Sequence, residues 1–212
     1  MLKKYRRVIF LTGIVTLLPM LVGMMLWSRL PEQMPTHFGF SGDVDGYSSR
    51  IFAVFGLPLF LLAMHLFCSF VTLLDPRQKN VSSKMLTLVF WICPLVSWFC
   101  AILVYATALG IQIDVLKAVD IFMAVIFIAI GNYLPKCRQN YTVGIKLPWT
   151  LADPENWKRT HRLGGWLFVL TGFFWLLDIF FGVVWIPLAA TVLAALVPCL
   201  YSLGLYLRQK QR

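Results

Sequence analysis

From Val8 to Trp27, and again from Ile51 to Leu74, the chain runs for at least twenty residues without one Asp, Glu, Lys or Arg. An α-helix needs about 20 apolar residues to cross the ~30 Å hydrocarbon layer, and there a helix satisfies its own backbone hydrogen bonds. The apolar residues come in long blocks rather than in a 3.6- or 2-residue rhythm. The chain is 59% hydrophobic and 13% charged, with a mean hydropathy of +0.77. That is roughly half the charge of a soluble domain. The expected fold is an all-α integral membrane protein, a bundle of six transmembrane helices.

The spans are drawn at 8–27, 51–74, 85–110, 118–134, 164–182 and 186–207. A charged turn, DPRQKNVSSK, follows the second, and a short polar link, IQIDVLK, follows the third. A long basic segment follows the fourth, and a tight turn near Gly182 and Pro187 separates the last two. The sequence divides into an N-terminal module, 1–84, and a second module, 85–212. The N-terminus has the basic-then-apolar order of a signal peptide, but its apolar run is too long and no small-x-small cleavage site follows, so it is read as a retained span. Pro19, Pro58, Pro94 and Pro198 interrupt four spans, where each removes a helix hydrogen bond and permits a kink.

Orientation follows from the basic residues. Of nineteen Lys and Arg, sixteen lie in the N-terminus, second loop, fourth loop and tail; only Arg29, Arg50 and Lys117 lie on the other side. Cytoplasmic segments concentrate Lys and Arg, so both termini are expected in the cytoplasm. The same rule accounts for the net charge of +10 without nucleic acid as a partner. Cys68, Cys93, Cys100 and Cys199 fall inside apolar blocks and Cys137 beside a basic loop; without a CxxC, neither a zinc site nor a disulfide framework is indicated. Asp114, Asp120 and Asp178 are read either as the rim of an outward cavity or as ordinary acids at external helix ends.

Two polar segments stand out. The outer loop, 28–50, contains PTHFGFSGDVDGYSSR. Its Gly39, Gly42 and Gly46 permit turns with positive φ. Asp43 and Asp45 could point at a cation, with Glu32 and His37 as further candidate ligands, although this fragment lacks the remaining ligands of a calcium loop. Alternatively, these side chains hydrogen-bond the loop into one shape or present a surface to a partner. The inner loop, 135–163, is dense in Asn, Tyr, Gly, Pro and Trp. In it Asp153 reads as an N-cap with Pro154 at the first helical position. A short surface helix is expected from Pro154 to about Leu163, with Trp157 and His161 on one face and Glu155 paired with Arg159. Gly164 and Gly165 would then let it turn into the fifth span. His37 and His161 are expected on opposite sides of the membrane, which prevents one shared site. No HExxH or GxSxG appears.

These segments also carry a resemblance. LPEQMPTHFGFSGDVDGYSSR is similar to the domain of unknown function at the N-terminus of SdpI-family membrane proteins, through Leu-Pro, Pro-x-His-Phe and Gly-x-x-Asp-Gly. GNYLPKCRQNYTVGIKLPWTLADPENWKRTHRLGG resembles the family's second module through Gly-Asn-Tyr-x-Pro, Asn-Tyr-x-x-Gly-Ile, Pro-Trp-Thr-Leu and Trp-x-x-Thr-His-Arg-x-Gly-Gly. The resemblance implies bacterial immunity to a secreted antimicrobial peptide toxin of the sporulation-delaying type, with signalling through a cytoplasmic transcriptional repressor held at the membrane. The candidate binding residues are His37, Phe38, Gly42, Asp43, Asp45 and Gly46 outside. Inside they are Asn132, Pro135, Asn140, Gly144, Trp149, Thr150, Trp157, His161 and Arg162; Pro148, Thr160 and Gly165 also match the motif. No catalytic residue is assigned, and no cofactor beyond the candidate divalent metal at the outer loop. The alternatives are a metal-dependent membrane peptidase acting at the outer face and a small transporter or exporter, for which Asp178 and the kinked spans are the hints.

Overall fold

The computed structural model describes the backbone of residues 2–211 and the side chains of 5–211; the Lys3, Lys4 and Arg212 side chains counted above lie outside that range. Its elements are α1 (Leu2–Met25), β1 (Gln33–Phe38), β2 (Val44–Ser49), α2 (Leu57–Leu74), α3 (Ser83–Ala108), α4 (Val115–Tyr133), α5 (Pro148–Ala152), α6 (Pro154–Phe181) and α7 (Trp185–Lys210). Six of these helices are long and apolar enough to cross a membrane, and the protein is multi-pass. The chain forms two compact units. One comprises residues up to Leu73 with Leu86–Leu116, the other Leu74–Met85 with Lys117–Arg212. Compactness thus groups most of α3 with α1 and α2.

In the first unit the packing of α1 on α3 is shaped by Pro19. A proline has no N–H, so the Val15 carbonyl one turn earlier loses its helical donor. The Trp98 indole N–H of α3 donates to that carbonyl at 3.1 Å. Ser97 Oγ donates to the Thr16 carbonyl at 2.8 Å and the Tyr105 hydroxyl to the Pro19 carbonyl at 3.2 Å. In hydrocarbon an unpaired carbonyl costs several kcal/mol, so these side chains offset the hydrogen bond that Pro19 removes. His65 of α2 is buried, with Nε2 3.0 Å from Thr12 Oγ1 of α1. Helix α2 is entered through a π-helical turn, Phe52–Gly56, which buries Ala53 and Val54. These join Leu30, Met34, Val104 and Tyr105 in one apolar core.

The outer loop is more regular than its sequence suggests. β1 and β2 pair antiparallel, with Met34 opposite Ser48 and His37 opposite Gly46, and with irregularities flanking His37. The all-α bundle therefore carries a small β-hairpin, whose alternation is hidden among glycines and serines.

In the second unit α6 is continuous over 28 residues. This corrects the expected short helix ending near Leu163. Gly164 and Gly165 are not a break; they let neighbours approach. A Cβ on Gly165 would stand 2.5 Å from Pro135 Cγ, and one on Gly131 of α4 would stand 2.7 Å from the Val169 nitrogen. The short separate helix lies elsewhere, at α5. At ~1.5 Å per residue α6 is about 42 Å long, which exceeds the hydrocarbon layer by about 12 Å, or about eight residues. Below, α4 and α6 enclose Ala124, Phe127 and Trp175. Asp178 is buried near the end of α6, where its Oδ1 accepts the Val183 N–H at 2.6 Å. Its carboxylate holds the chain leaving the helix, beside Gly182 in the left-handed region.

Gly165→Ala should lower stability by about 1–3 kcal/mol through overpacking against Pro135. Gly204→Ala, where an added Cβ meets nothing, should be neutral or slightly stabilising. Thermal unfolding of the detergent-solubilised protein checks both; equal midpoints would show that the α4–α6 approach tolerates a methyl group.

Candidate functional site

Each unit contains one polar cluster. In the first unit it is the hairpin. Arg50 fixes its base by donating from one guanidinium nitrogen to the Trp27 and Leu30 carbonyls, both at 2.8 Å, while its guanidinium lies over the Trp27 ring. Thr36 and Ser48 join the strands through their hydroxyls at 2.7 Å. Met34 points into the core and is fully buried. The turn is closed by the Gly39 N–H donating to the Asp43 carbonyl at 2.9 Å. Of the three loop glycines only Gly42 has a positive φ, 83°. Gly46 serves a different purpose from the expected turn: a Cβ there would stand 2.8 Å from His37 Cβ on the opposite strand.

That close approach brings His37 Nδ1 onto Asp45 Oδ1, an imidazole–carboxylate pair in solvent, with side chains 73% and 52% exposed. Asp43 accepts from Ser41 Oγ at 2.8 Å, so the two aspartates serve separate local bonds. Phe40 and Tyr47 are also exposed, at 69% and 62%. Phe38 is half-buried and Glu32 exposed. Among the described residues, no group of three or more His, Cys, Asp or Glu side chains is placed to hold a metal ion.

The second cluster is a hydrogen-bonded cap over the Pro154 end of α6. Asp153 is the N-cap, its carboxylate accepting the Glu155 and Asn156 N–H groups at 2.9 and 3.1 Å, as the sequence indicated. The expected Glu155–Arg159 pair also forms, at 2.7 Å. Trp157 and His161 stack with ring centroids 3.9 Å apart and are buried. They face the loop 137–147. Trp157 Nε1 donates to the Cys137 carbonyl at 2.7 Å, and His161 Nε2 accepts the Ile145 N–H at 2.9 Å. Because an amide can only donate and a carbonyl only accept, Nδ1 must carry the proton given to the Trp157 carbonyl at 2.8 Å. Gly144 lies against this ring with φ 121°, and a Cβ there would stand 2.3 Å from Nε2.

Asn140, fully buried, closes the loop on itself. Its amide donates to the Arg138 and Val143 carbonyls, and its oxygen accepts the Thr142 and Val143 N–H groups. Thr150 accepts the Leu147 N–H at 2.9 Å and donates to the Ile145 carbonyl at 3.0 Å. Trp149 Nε1 donates to Ser202 Oγ of α7 at 2.8 Å, and Ser202 Oγ in turn donates to Asn156 Oδ1 at 2.7 Å. Burial raises the Cys137 thiol, so it is no ready nucleophile. Asn132 and Arg162 are exposed and stand apart from this network; Asn132 accepts from Lys136 Nζ at 3.2 Å.

Asp75 escaped the sequence reading. It lies in the charged turn after α2 and is buried; Oδ1 accepts the Arg77 N–H at 2.7 Å, and Oδ2 accepts the Tyr141 N–H at 2.8 Å and the Thr142 hydroxyl at 2.9 Å. Asn80 and Arg77 bond Gln139 beside it. The signal was an Asp-Pro opening an otherwise basic turn, but nothing in the sequence names its partner 66 residues away.

Asp75→Asn should cost about 1–3 kcal/mol, because an uncharged amide replaces a carboxylate accepting three hydrogen bonds; faster proteolysis within 137–147 would show it, and an unchanged rate would contradict it. Burial raises the Asp153 carboxyl, but the Gln209 side chain and the two cap N–H groups outweigh this and hold it below its ordinary value. Its contribution to stability is therefore present above the ordinary carboxylate range and is lost as the pH falls through the lowered value. Gln209→Ala should move that titration upward, as followed by carboxyl NMR.

The comparisons fall on these clusters. Residues 14–62 match the domain of unknown function DUF1648, and residues 136–202 match the SdpI/YfhL protein family. The chain is 26% identical over 200 residues to the Immunity protein SdpI of Bacillus subtilis (strain 168), covering 91% of each chain. No solved structure gives a significant match. The hairpin thus lies in the first matched segment, and nearly all of the cap in the second. Across its length the chain thus resembles an SdpI-type protein, with the DUF1648 match ahead of the SdpI/YfhL match.

Proposed function

We propose that the protein confers immunity to a secreted antimicrobial peptide, with the hairpin on the outer face of a bacterial cell membrane and both termini in the cytoplasm. The observation that carries this reading is the likeness to an immunity protein over nine-tenths of both chains. The basic-residue asymmetry supports the orientation.

The two clusters suit different tasks. The hairpin is anchored at its base and carries an exposed imidazole–carboxylate pair and the exposed aromatic side chains Phe40 and Tyr47. Aromatic surface with a polar handle suits a cationic or amphipathic peptide arriving from outside. The cap spends its polar side chains on itself, so Asn140, Gly144, Trp149, Thr150, Trp157 and His161 act as a scaffold. A cytoplasmic repressor would be held on the outside of that scaffold when the peptide is bound.

Expression of the protein should raise the tolerance of sensitive bacteria to a peptide toxin. His37→Ala and Asp45→Ala should each reduce that protection about tenfold, the scale of one charge-assisted hydrogen bond. Full protection by both variants would remove the hairpin from the recognition step, and lack of protection by the wild type would sink the immunity reading. Labelling of a cysteine placed at Ser41 from outside the cell tests the orientation separately.

A further inference from the structure

On the flank of α6 lies a groove of about 490 Å³ whose walls change character along its length. Lys158 and Arg162 stand one turn apart on α6, with Lys136 facing them from the end of α4; Trp166 and Val169 continue the same α6 face. Its floor is the close approach of Gly131 and Gly165, where added Cβ atoms would clash. At ~1.5 Å per residue, Arg162 is about 6 Å and Trp166 about 12 Å from Lys158 along the helix axis. The order is cations, then an indole, then aliphatic surface.

Two of the three cations here have no acidic partner among the described residues. Arg159, one position after Lys158, is paired with Glu155, but Lys158 and Arg162 form no ion pair with a described residue, and both are exposed. Lys136 donates to the neutral Asn132 amide oxygen and lies over the Tyr133 ring, 5.3 Å from its centroid, so no carboxylate neutralises it. Trp166 is 70% exposed, the placement that tryptophan favours at the headgroup level.

We propose that this groove binds one anionic phospholipid, its phosphate between Lys158, Arg162 and Lys136, its ester region against Trp166 and an acyl chain along Val169. Charge complementarity selects the anion, and the apolar continuation selects a lipid over a free phosphate, which would have no use for it. Basic pockets between transmembrane helices are suited to such headgroups. The excess length of α6 beyond the hydrocarbon layer puts Arg162 close to the boundary where a phosphate sits.

The test uses the full-length protein in detergent, with phosphatidylglycerol retention followed by native mass spectrometry against phosphatidylcholine. The wild type should retain phosphatidylglycerol selectively. At about fivefold per cation, Lys158→Gln with Arg162→Gln should weaken retention about 25-fold, and Lys136→Gln alone about fivefold. Arg208→Gln with Lys210→Gln, which removes two charges elsewhere, should change nothing. Equal retention of the two lipids, undiminished binding by the Lys158/Arg162 variant, or equal loss in the Arg208/Lys210 control would overturn the proposal. Displacement by excess inorganic phosphate would reassign the groove to a free anion and overturn it too.

Discussion

The second unit depends on one imidazole. His161 bonds the Ile145 N–H through Nε2 and the Trp157 carbonyl through Nδ1, and stacks on the Trp157 ring. Through it the loop 137–147 is fastened to a helix that continues into the membrane. Gly144 must lack a side chain because the ring occupies that space. Trp157 is held by the Cys137 carbonyl, and Asn140 closes the loop between. A buried network of this kind is stable only when every member is satisfied. The buried motif residues Asn140, Trp157 and His161 are thus consumed by the architecture.

The hairpin follows the opposite rule. Its inward residues, Met34 and the Arg50 guanidinium, secure it to the ends of α1 and α2, and its outward residues are left for solvent. His37 is held by Asp45 yet remains open, whereas His161 is closed on both nitrogens. Two histidines in the same chain are therefore set to different uses by burial and partner type alone. The third, His65, closes an α1–α2 contact with Thr12.

The six spans, the Asp153 cap and the Glu155–Arg159 pair were legible because each depends on residues near one another in sequence. The hairpin was not, since glycine and serine mask the alternation of its strands. Nor was the unbroken α6. Gly164–Gly165 resembles a break when propensity is weighed alone, but tertiary contact with Pro135 and Gly131 decides it. Asp75 was missed for the same reason: its partners lie far along the chain, and only the fold brings them within reach. The assignment of Trp98, Ser97 and Tyr105 to the carbonyls around Pro19 likewise needs two helices in register.

The continuity of α6 has a mechanical consequence. Without a proline beyond its first residue, the continuous helix carries no built-in hinge between Pro154 and Phe181. A displacement imposed where Asp178 and Gly182 finish it would therefore be carried to Trp157 and His161 at the other end rather than absorbed on the way. The glycine contacts with α4 lie at two turns, Gly165 against Gly131 and Gly172 against Ala124 and Ile128, so any such shift is guided at both.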